Sequence, residues 1–163
     1  MRGLIWISVA ALGAEISVAA AFLSRLPAEA TRPTPLQVEL AAEVLRWSRY
    51  FGPARVESAA FEIVLESRAA DSIFQALLIS SSSRAARLYA FYGIQQINPQ
   101  LAKIVAERER QIGGFVVLYR CAAAYSLPAA EVVSQIERGE WVLNGHRTAP
   151  CEHEFSWGLR YRR

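Results

Sequence analysis

The stretch that most constrains the fold is residues 88–94, which would be apolar on nearly every side of a helix. A helix without a polar face has to be covered by other elements on several sides. Residues 82–110 are therefore predicted to form two consecutive helices, of which the first lies at the centre of the domain. The second helix is capped by Asn98 and has Pro99 at its first position, where the missing N–H removes no helical hydrogen bond.

The central helix carries the predicted structural core. Gly93 lies inside it, where glycine is less favourable than alanine by about 1 kcal/mol, so we expect a second helix to pass close by. The aromatic residues recur at helical spacing, which favours the core over a ligand groove. The predicted core residues are Leu88, Tyr89, Phe91, Tyr92 and Gly93.

Three more helices are predicted before the central one. The first opens with a capping box formed by Thr34 and Gln37 and ends at Gly52. Residues 54–66 fit both a strand and a helix, and we favour the helix. The third begins with Ser67 as N-cap, and a serine-rich turn at residues 80–83 supplies the cap of the central helix.

The region after the central helix alternates between clear and ambiguous patterns. Residues 107–110 alternate in charge and are predicted to form a solvated face of the second helix. Residues 115–121 are a short apolar run that fits a strand or a buried helical turn. Residues 128–138 form a further short helix that Gly139 ends.

A β-like segment is predicted at residues 141–163. Asn144-Gly145 is typical of a tight hairpin turn, and apolar residues then alternate with polar ones over residues 155–161. The fold class is therefore mainly α, with stacked pairs among about five to six helices and a small C-terminal β element. We expect residues 31–163 to form a single domain.

The N-terminus resembles an export signal. Met1-Arg2 precedes an apolar run at residues 4–23, and Ala28-Glu29-Ala30 follows as a small-x-small site. Residues 1–30 are predicted to be a cleaved signal peptide or an uncleaved membrane anchor, with a core helix of a cytosolic protein as the remaining alternative. Either of the first two readings predicts an exported protein, periplasmic or secreted, with membrane attachment through residues 4–23 in the second.

The charge distribution argues against nucleic-acid binding. The net charge is +3, and Arg160, Arg162 and Arg163 supply three positive charges at the C-terminal end. In the remaining sequence, basic residues are interspersed with acidic ones, whereas a nucleic-acid-binding domain concentrates them on one face.

All the cysteines and histidines of the chain fall in one segment, at Cys121, His146, Cys151 and His153. In an exported protein the first interpretation is a disulfide between the cysteines, which closes a loop of about 31 residues and stabilises by roughly 3.5 kcal/mol. The alternatives are a zinc site made by all four residues and free thiols beside surface histidines. The spacing matches no common zinc pattern, which favours the disulfide.

A set of short segments runs along the chain, namely Ser67-x-x-Ala70, Ala76-Leu77-Leu78, Ala86-Arg87-Leu88-Tyr89-Ala90, Gly93-Ile94, Cys121 and Val133-x-x-Ile136-x-x-Gly139. Together these segments resemble a family of uncharacterised, mostly exported bacterial helical proteins. The stacked helix pairs also resemble HEAT-type repeats, without a regular internal period. The family carries no activity to transfer, so the resemblance implies an exported helical domain and no site residues.

No common catalytic or phosphate-binding motif occurs in the chain. The predicted function is a non-catalytic exported helical interaction or structural domain that binds a protein or cell-envelope partner through a helical surface and needs no cofactor. The alternative is a small hydrolase or zinc-dependent enzyme that uses His146, Cys151 and His153. Whether the chain is an enzyme therefore stays open at this point, with the non-catalytic function favoured.

Overall fold

The computed structural model describes residues 32–53, 55–120, 123–141 and 143. This part of the chain is mainly helical, with six helices and one two-stranded antiparallel sheet, as the sequence predicts. The elements are α1 (Pro35–Arg46), α2 (Arg55–Leu65), α3 (Ala70–Ser80), α4 (Arg84–Ile97), α5 (Pro99–Ile112), β1 (Phe115–Arg120), β2 (Ala123–Pro128) and α6 (Ala129–Glu137).

The helices stack in pairs around α4, the predicted central helix. α1 packs on α2, and α3 packs on α4. α4 also contacts α1, α2, α5, α6 and β1, so most of the described elements form its coat. This arrangement follows from the absence of a polar face on residues 88–94, which leaves no side of that helix that water can solvate well.

The predicted caps at two helix starts are confirmed. Thr34 Oγ1 accepts a hydrogen bond from the Gln37 N–H at 3.3 Å, and Gln37 Oε1 accepts one from the Thr34 N–H at 2.6 Å. Asn98 Oδ1 accepts from the Leu101 N–H at 3.1 Å. Both sets of bonds satisfy N–H groups that have no partner inside their helices.

The predicted cap of α3 is wrong, whereas the cap of α4 is confirmed. The Ser67 N–H donates to the Val64 carbonyl at 3.1 Å, so Ser67 extends the end of α2, and α3 begins at Ala70 without a side-chain cap. Ser83 Oγ accepts from the Ala86 N–H at 3.3 Å and caps α4. The sequence alone does not distinguish a serine that caps the next helix from a serine in the turn that ends the previous one, because serine is common at both positions.

Gly93 marks the close helix crossing that the sequence predicts. A Cβ atom at Gly93 would lie 2.3 Å from the ring of Phe74, which α3 presents to α4. Phe74 in turn packs on Phe61 of α2, with 5.5 Å between ring centroids. The glycine therefore lets three helices meet around one aromatic side chain.

The sheet shows that residues 115–120 of the ambiguous apolar run form a strand, while residue 121 lies outside the described residues. β1 and β2 pair from Phe115 with Pro128 to Arg120 with Ala123. Val116 and Leu118 are buried on one face of β1, toward the helices. β2 is an element that the sequence analysis did not predict, because its short run of small and polar residues carries little strand signal.

Several sequence predictions fall outside the described residues. The proposed signal or anchor at residues 1–30 and the hairpin and strand between residues 144 and 161 belong to this group. Trp141 and Leu143, at the start of the predicted β-like segment, are buried but not in a strand. Among the helices that the structure describes, none combines the length and hydrophobicity needed to cross a membrane.

We expect Gly93→Leu to lower the free energy of unfolding by about 1–3 kcal/mol, because the new side chain overpacks the contact with Phe74. Chemical denaturation measures this change. Gln96→Leu adds the same side chain at an exposed position of α4 and serves as the control, with an expected effect within about 0.5 kcal/mol. Equal effects of the two substitutions would contradict the crossing described here.

Candidate functional site

The predicted chemical residues Cys121, His146, Cys151 and His153 all lie outside the described residues. The disulfide and the zinc site therefore stay predictions. Within the part of the chain that the structure does describe, no three histidine, cysteine or acidic side chains come together as metal ligands. The candidate site has to be built from other residues, beginning with the predicted core.

Tyr89 is a fully buried residue that binds the backbone of Gly52. Its hydroxyl donates to the Gly52 carbonyl at 2.7 Å and accepts from the Gly52 N–H at 3.2 Å. Gly52 has a φ of 143°, and a Cβ there would lie 2.2 Å from the Tyr119 carbonyl oxygen. Only glycine fits this position, so Tyr89 and Gly52 together hold the loop after α1 against β1.

Burial raises the pKa of the Tyr89 phenol well above its usual range, and the negative charge of Glu57 raises it further, against an opposing effect of the Gly52 hydrogen bond. The phenol is therefore neutral at physiological pH. Its O–H group already has a hydrogen-bond acceptor, the Gly52 carbonyl. These properties make Tyr89 a structural residue and not an acid or base for catalysis.

The loop that Tyr89 holds adds a short third piece to the sheet. The Phe51 N–H donates to the Val117 carbonyl at 2.9 Å, and the Tyr119 N–H donates to the Phe51 carbonyl at 3.0 Å. The Phe51 ring lies 4.9 Å from that of Tyr89 and 5.0 Å from that of Trp141. β1 is therefore paired on both edges, by Phe51 on one side and by β2 on the other.

Tyr92 and Trp141 attach the chain after α6 to the same aromatic core. The half-buried Tyr92 hydroxyl donates to the Trp141 carbonyl at 3.1 Å, and the Trp141 indole N–H donates to Gln135 Oε1 at 3.0 Å. Burial raises the pKa of the Tyr92 phenol, and a hydrogen bond from the Leu143 backbone acts in the opposite direction. These contacts are again structural.

Glu109 is buried, which contradicts the predicted solvated face at residues 107–110. Only 1% of Glu109 is exposed, and its carboxylate pairs with the Arg87 guanidinium through Nε at 3.1 Å and through Nη2. Arg84 approaches the same carboxylate at 3.8 Å. The sequence does not reveal these contacts because Arg84 and Arg87 lie on α4, far from Glu109 along the chain.

The Arg87–Glu109 pair braces α4 against α5 and offers no site for a ligand. Arg87 uses its remaining Nη1 group to donate to the Leu78 carbonyl at the end of α3. The carboxylate is bound in a bidentate manner by one guanidinium, which is the strongest and most directional form of such a contact. Three helices are thus joined at one buried charge pair.

A shallow groove lies where α4, α5 and α6 meet. Its volume is about 200 Å³, which is below the roughly 300–1,000 Å³ of typical small-molecule sites. Glu137, on its rim, pairs with Arg110. The groove is therefore a weak candidate for a ligand. Its lining residues are Phe91, Gln95, Pro99, Ala102, Lys103 and Glu137.

The strongest candidate is an exposed apolar surface on the outer face of β1. It consists of Tyr50, Phe115, Val117 and Tyr119, hereafter the aromatic surface. Phe115 is 71% exposed, and the other three are 41%, 36% and 38% exposed. The Tyr50 and Tyr119 rings lie 6.3 Å apart.

Strand geometry explains how these side chains share a face. Successive residues of a strand point to opposite sides, so residues 115, 117 and 119 point away from the helices while Val116 and Leu118 point toward them. Their partners on β2 are Pro128, Ser126 and Ala124, which are exposed. The sequence does not reveal this surface because residues 115–119 are apolar on both faces, which is the pattern of a strand buried on both sides.

Comparison of the chain with protein-family models, curated proteins and solved structures finds no match. The resemblance to exported bacterial helical proteins therefore stays an expectation. The structure does give its Ala86-Arg87-Leu88-Tyr89-Ala90 segment a physical basis, since Arg87 binds Glu109 and Tyr89 binds Gly52 while the other three residues are buried. Among the described residues, the aromatic surface is the feature that bears on function.

We expect Glu109→Ala to lower the free energy of unfolding by about 3–5 kcal/mol, because Arg87 would remain buried without a counter-charge. Denaturant titration measures the loss. Glu107→Ala is the matched control on the same helix, since the Glu107 side chain is 64% exposed and surface pairs contribute about 0–1 kcal/mol. A loss no larger than that of the control would show that the buried pair does not stabilise the fold.

We expect Tyr89→Phe to destabilise the protein by about 1–3 kcal/mol near neutral pH, through the loss of its bonds to Gly52. Because the unfolded phenol ionises near pH 10 while the folded one keeps its proton, wild-type stability falls as pH rises past about 10, by up to roughly 1.4 kcal/mol per pH unit. The phenylalanine variant lacks this titration. The stability difference should therefore narrow between about pH 9 and 11 in denaturation curves, and a constant difference would contradict the burial of a neutral phenol.

Proposed function

We propose that this protein is a non-catalytic, exported interaction domain that binds a protein partner through the aromatic surface. The observation that carries the proposal is the exposure of Tyr50, Phe115, Val117 and Tyr119 side by side on one face. Contiguous apolar patches on soluble domains mark binding sites, and tyrosine and phenylalanine are enriched in protein interfaces. The sequence led us to expect a helical binding surface, and the proposal moves it to the sheet.

The support behind the aromatic surface favours recognition of a protein. β1 is held between Phe51 and β2, and the buried Val116 and Leu118 fix it to the core. A surface on a paired strand changes little on binding, so little ordering entropy opposes association. The surface is the exposed face of a strand, which suits a protein better than a small molecule, since small-molecule sites are concave.

The location outside the cytoplasm is a proposal that rests on the sequence of residues 1–30. A signal peptide would release the domain to the periplasm or the medium, and an uncleaved segment at residues 4–23 would keep it at the membrane. Both locations favour a disulfide between Cys121 and Cys151. Neither requires a cofactor, and the interspersed charges of the body do not favour nucleic acid.

The second candidate is a small hydrolase or zinc-dependent enzyme that uses His146, Cys151 and His153. The clustering of these residue types in one segment favours it, because they are the side chains that bind zinc or activate a nucleophile. These three residues lie outside the described residues, so the support for this candidate is their sequence clustering alone. The non-catalytic function is preferred because the exposed aromatic surface supports it.

Photo-crosslinking in the native host cells tests the proposed binding surface. A photoreactive amino acid replaces Val117 on the aromatic surface or, in the control, Ile79, which is 77% exposed on α3. We expect a discrete adduct of higher mass from position 117 and none from position 79, since only the former lies at the interface. Adding Tyr119→Ser should abolish the adduct by removing an aromatic contact.

Three results would contradict the proposal or a part of it. Adducts that form equally from both positions would show that the aromatic surface has no specific partner. A variant with His146→Ala and His153→Ala should keep the adduct, whereas its loss in a folded protein would favour the enzyme. The intact mass of the recovered chain shows whether residues 1–30 have been removed and whether zinc is bound. An unprocessed chain that carries zinc would contradict both export and the disulfide.

A further inference from the structure

β2 has an outer edge that no other described strand pairs with. The Val117 carbonyl and the Tyr119 N–H point toward Phe51, so residues 116, 118 and 120 of β1 face β2. Through the register, Tyr125 and Leu127 bond to β1, and the backbone groups of Ala124 and Ser126 point to the outer edge. Open edges of this kind expose unpaired N–H and C=O groups and are normally covered in native proteins.

The inner face of the sheet is also incompletely covered beside this edge. Tyr125 lies opposite the fully buried Leu118 and so faces the helices, yet it is 39% exposed. Leu127, opposite the buried Val116, is only half-buried. Cover is therefore missing at the β2 side of the sheet, on the face where apolar side chains belong.

The chain contains one segment whose pattern fits both the edge and the face. If residues 155–161 form a strand, one side of it would carry Phe155, Trp157, Leu159 and Tyr161 and the other Ser156, Gly158 and Arg160. The segment has seven residues, and β2 has six. Its apolar side would cover Tyr125 and Leu127, and its polar side would lie at the rim of the aromatic surface.

The path of the chain after α6 makes this position reachable. α6 follows β2 directly and packs on it, and the chain then returns to the sheet, where Trp141 contacts Phe51. The eleven residues from 144 to 154 can span up to about 36–40 Å, whereas the sheet is roughly 10–15 Å wide. A connection that contains a helix is also the usual link between parallel neighbours.

We propose that residues 155–161 pair with the outer edge of β2 as a third strand, parallel to it, with their apolar side toward the helices. The direction rests on the proposed disulfide. In the sequence Cys121 falls between the end of β1 and the start of β2, so a bond to Cys151 would bring Phe155 to the end of the sheet where β2 begins. The segment then runs along β2 in the same direction. The pairing uses the edge of the sheet and is independent of partner binding at the aromatic surface.

Amide hydrogen exchange of the full-length chain, followed by NMR, tests the pairing. The amides of Ala124 and Ser126 should be protected in the wild type, because they bond to the third strand. Trp157→Asp, which places a charge on the apolar side, should raise their exchange rates by about tenfold or more. Ser156→Asp is the matched control on the polar side, with an expected change below about threefold.

The amides of Leu118 and Tyr125, which bond within the hairpin, report whether the fold itself survives in each variant. Slow exchange there together with fast exchange at Ala124 and Ser126 in the wild type would overturn the proposal. Protection that increases with protein concentration would also overturn it, because the edge would then pair with a second copy of the chain. Equal effects of the Asp substitutions at positions 156 and 157 would contradict the proposed orientation.

Discussion

The attachment of the Tyr89 hydroxyl to the backbone of Gly52 is the contact on which the rest of the structure depends. Tyr89 lies in the middle of α4, and Gly52 lies in the loop that places Phe51 beside β1. A buried phenol needs a polar partner, and here one backbone residue satisfies it as both donor and acceptor. This contact therefore joins the helices to the sheet. Without it, the Tyr89 hydroxyl and the Gly52 backbone would both be buried polar groups without a hydrogen bond.

The central helix is apolar on nearly every side, and its few polar groups bind specific partners on other elements. Arg87 and Tyr89 leave the same turn of α4 in different directions, one to Glu109 of α5 and the other to Gly52. Gly93, one turn later, removes a side chain so that Phe74 can approach. Each partner is distant in sequence, so these contacts specify how the elements pack and not only that they pack.

Features decided within a few residues could be predicted from the sequence, and those decided across the fold could not. The caps at Thr34 and Asn98 were correct because the bonds that form them span three residues. The sequence predicts a solvated Glu109 because its neighbours along α5 are charged, whereas its actual partner, Arg87, lies on α4. β2 and the aromatic surface were missed for the same reason, since pairing with β1 gives a weak strand its place and leaves one face of β1 open.

The small size of the sheet connects its two unexplained features. A two-stranded hairpin is marginally stable in water, and a single bridge at Phe51 adds only a short third piece. An apolar outer face and an open edge on such a sheet would both favour aggregation if nothing covered them. A third strand from the chain itself would remove the edge, which is the part that pairs without selectivity. The outer face would then remain as the selective surface, because side chains and not backbone groups would decide what binds there.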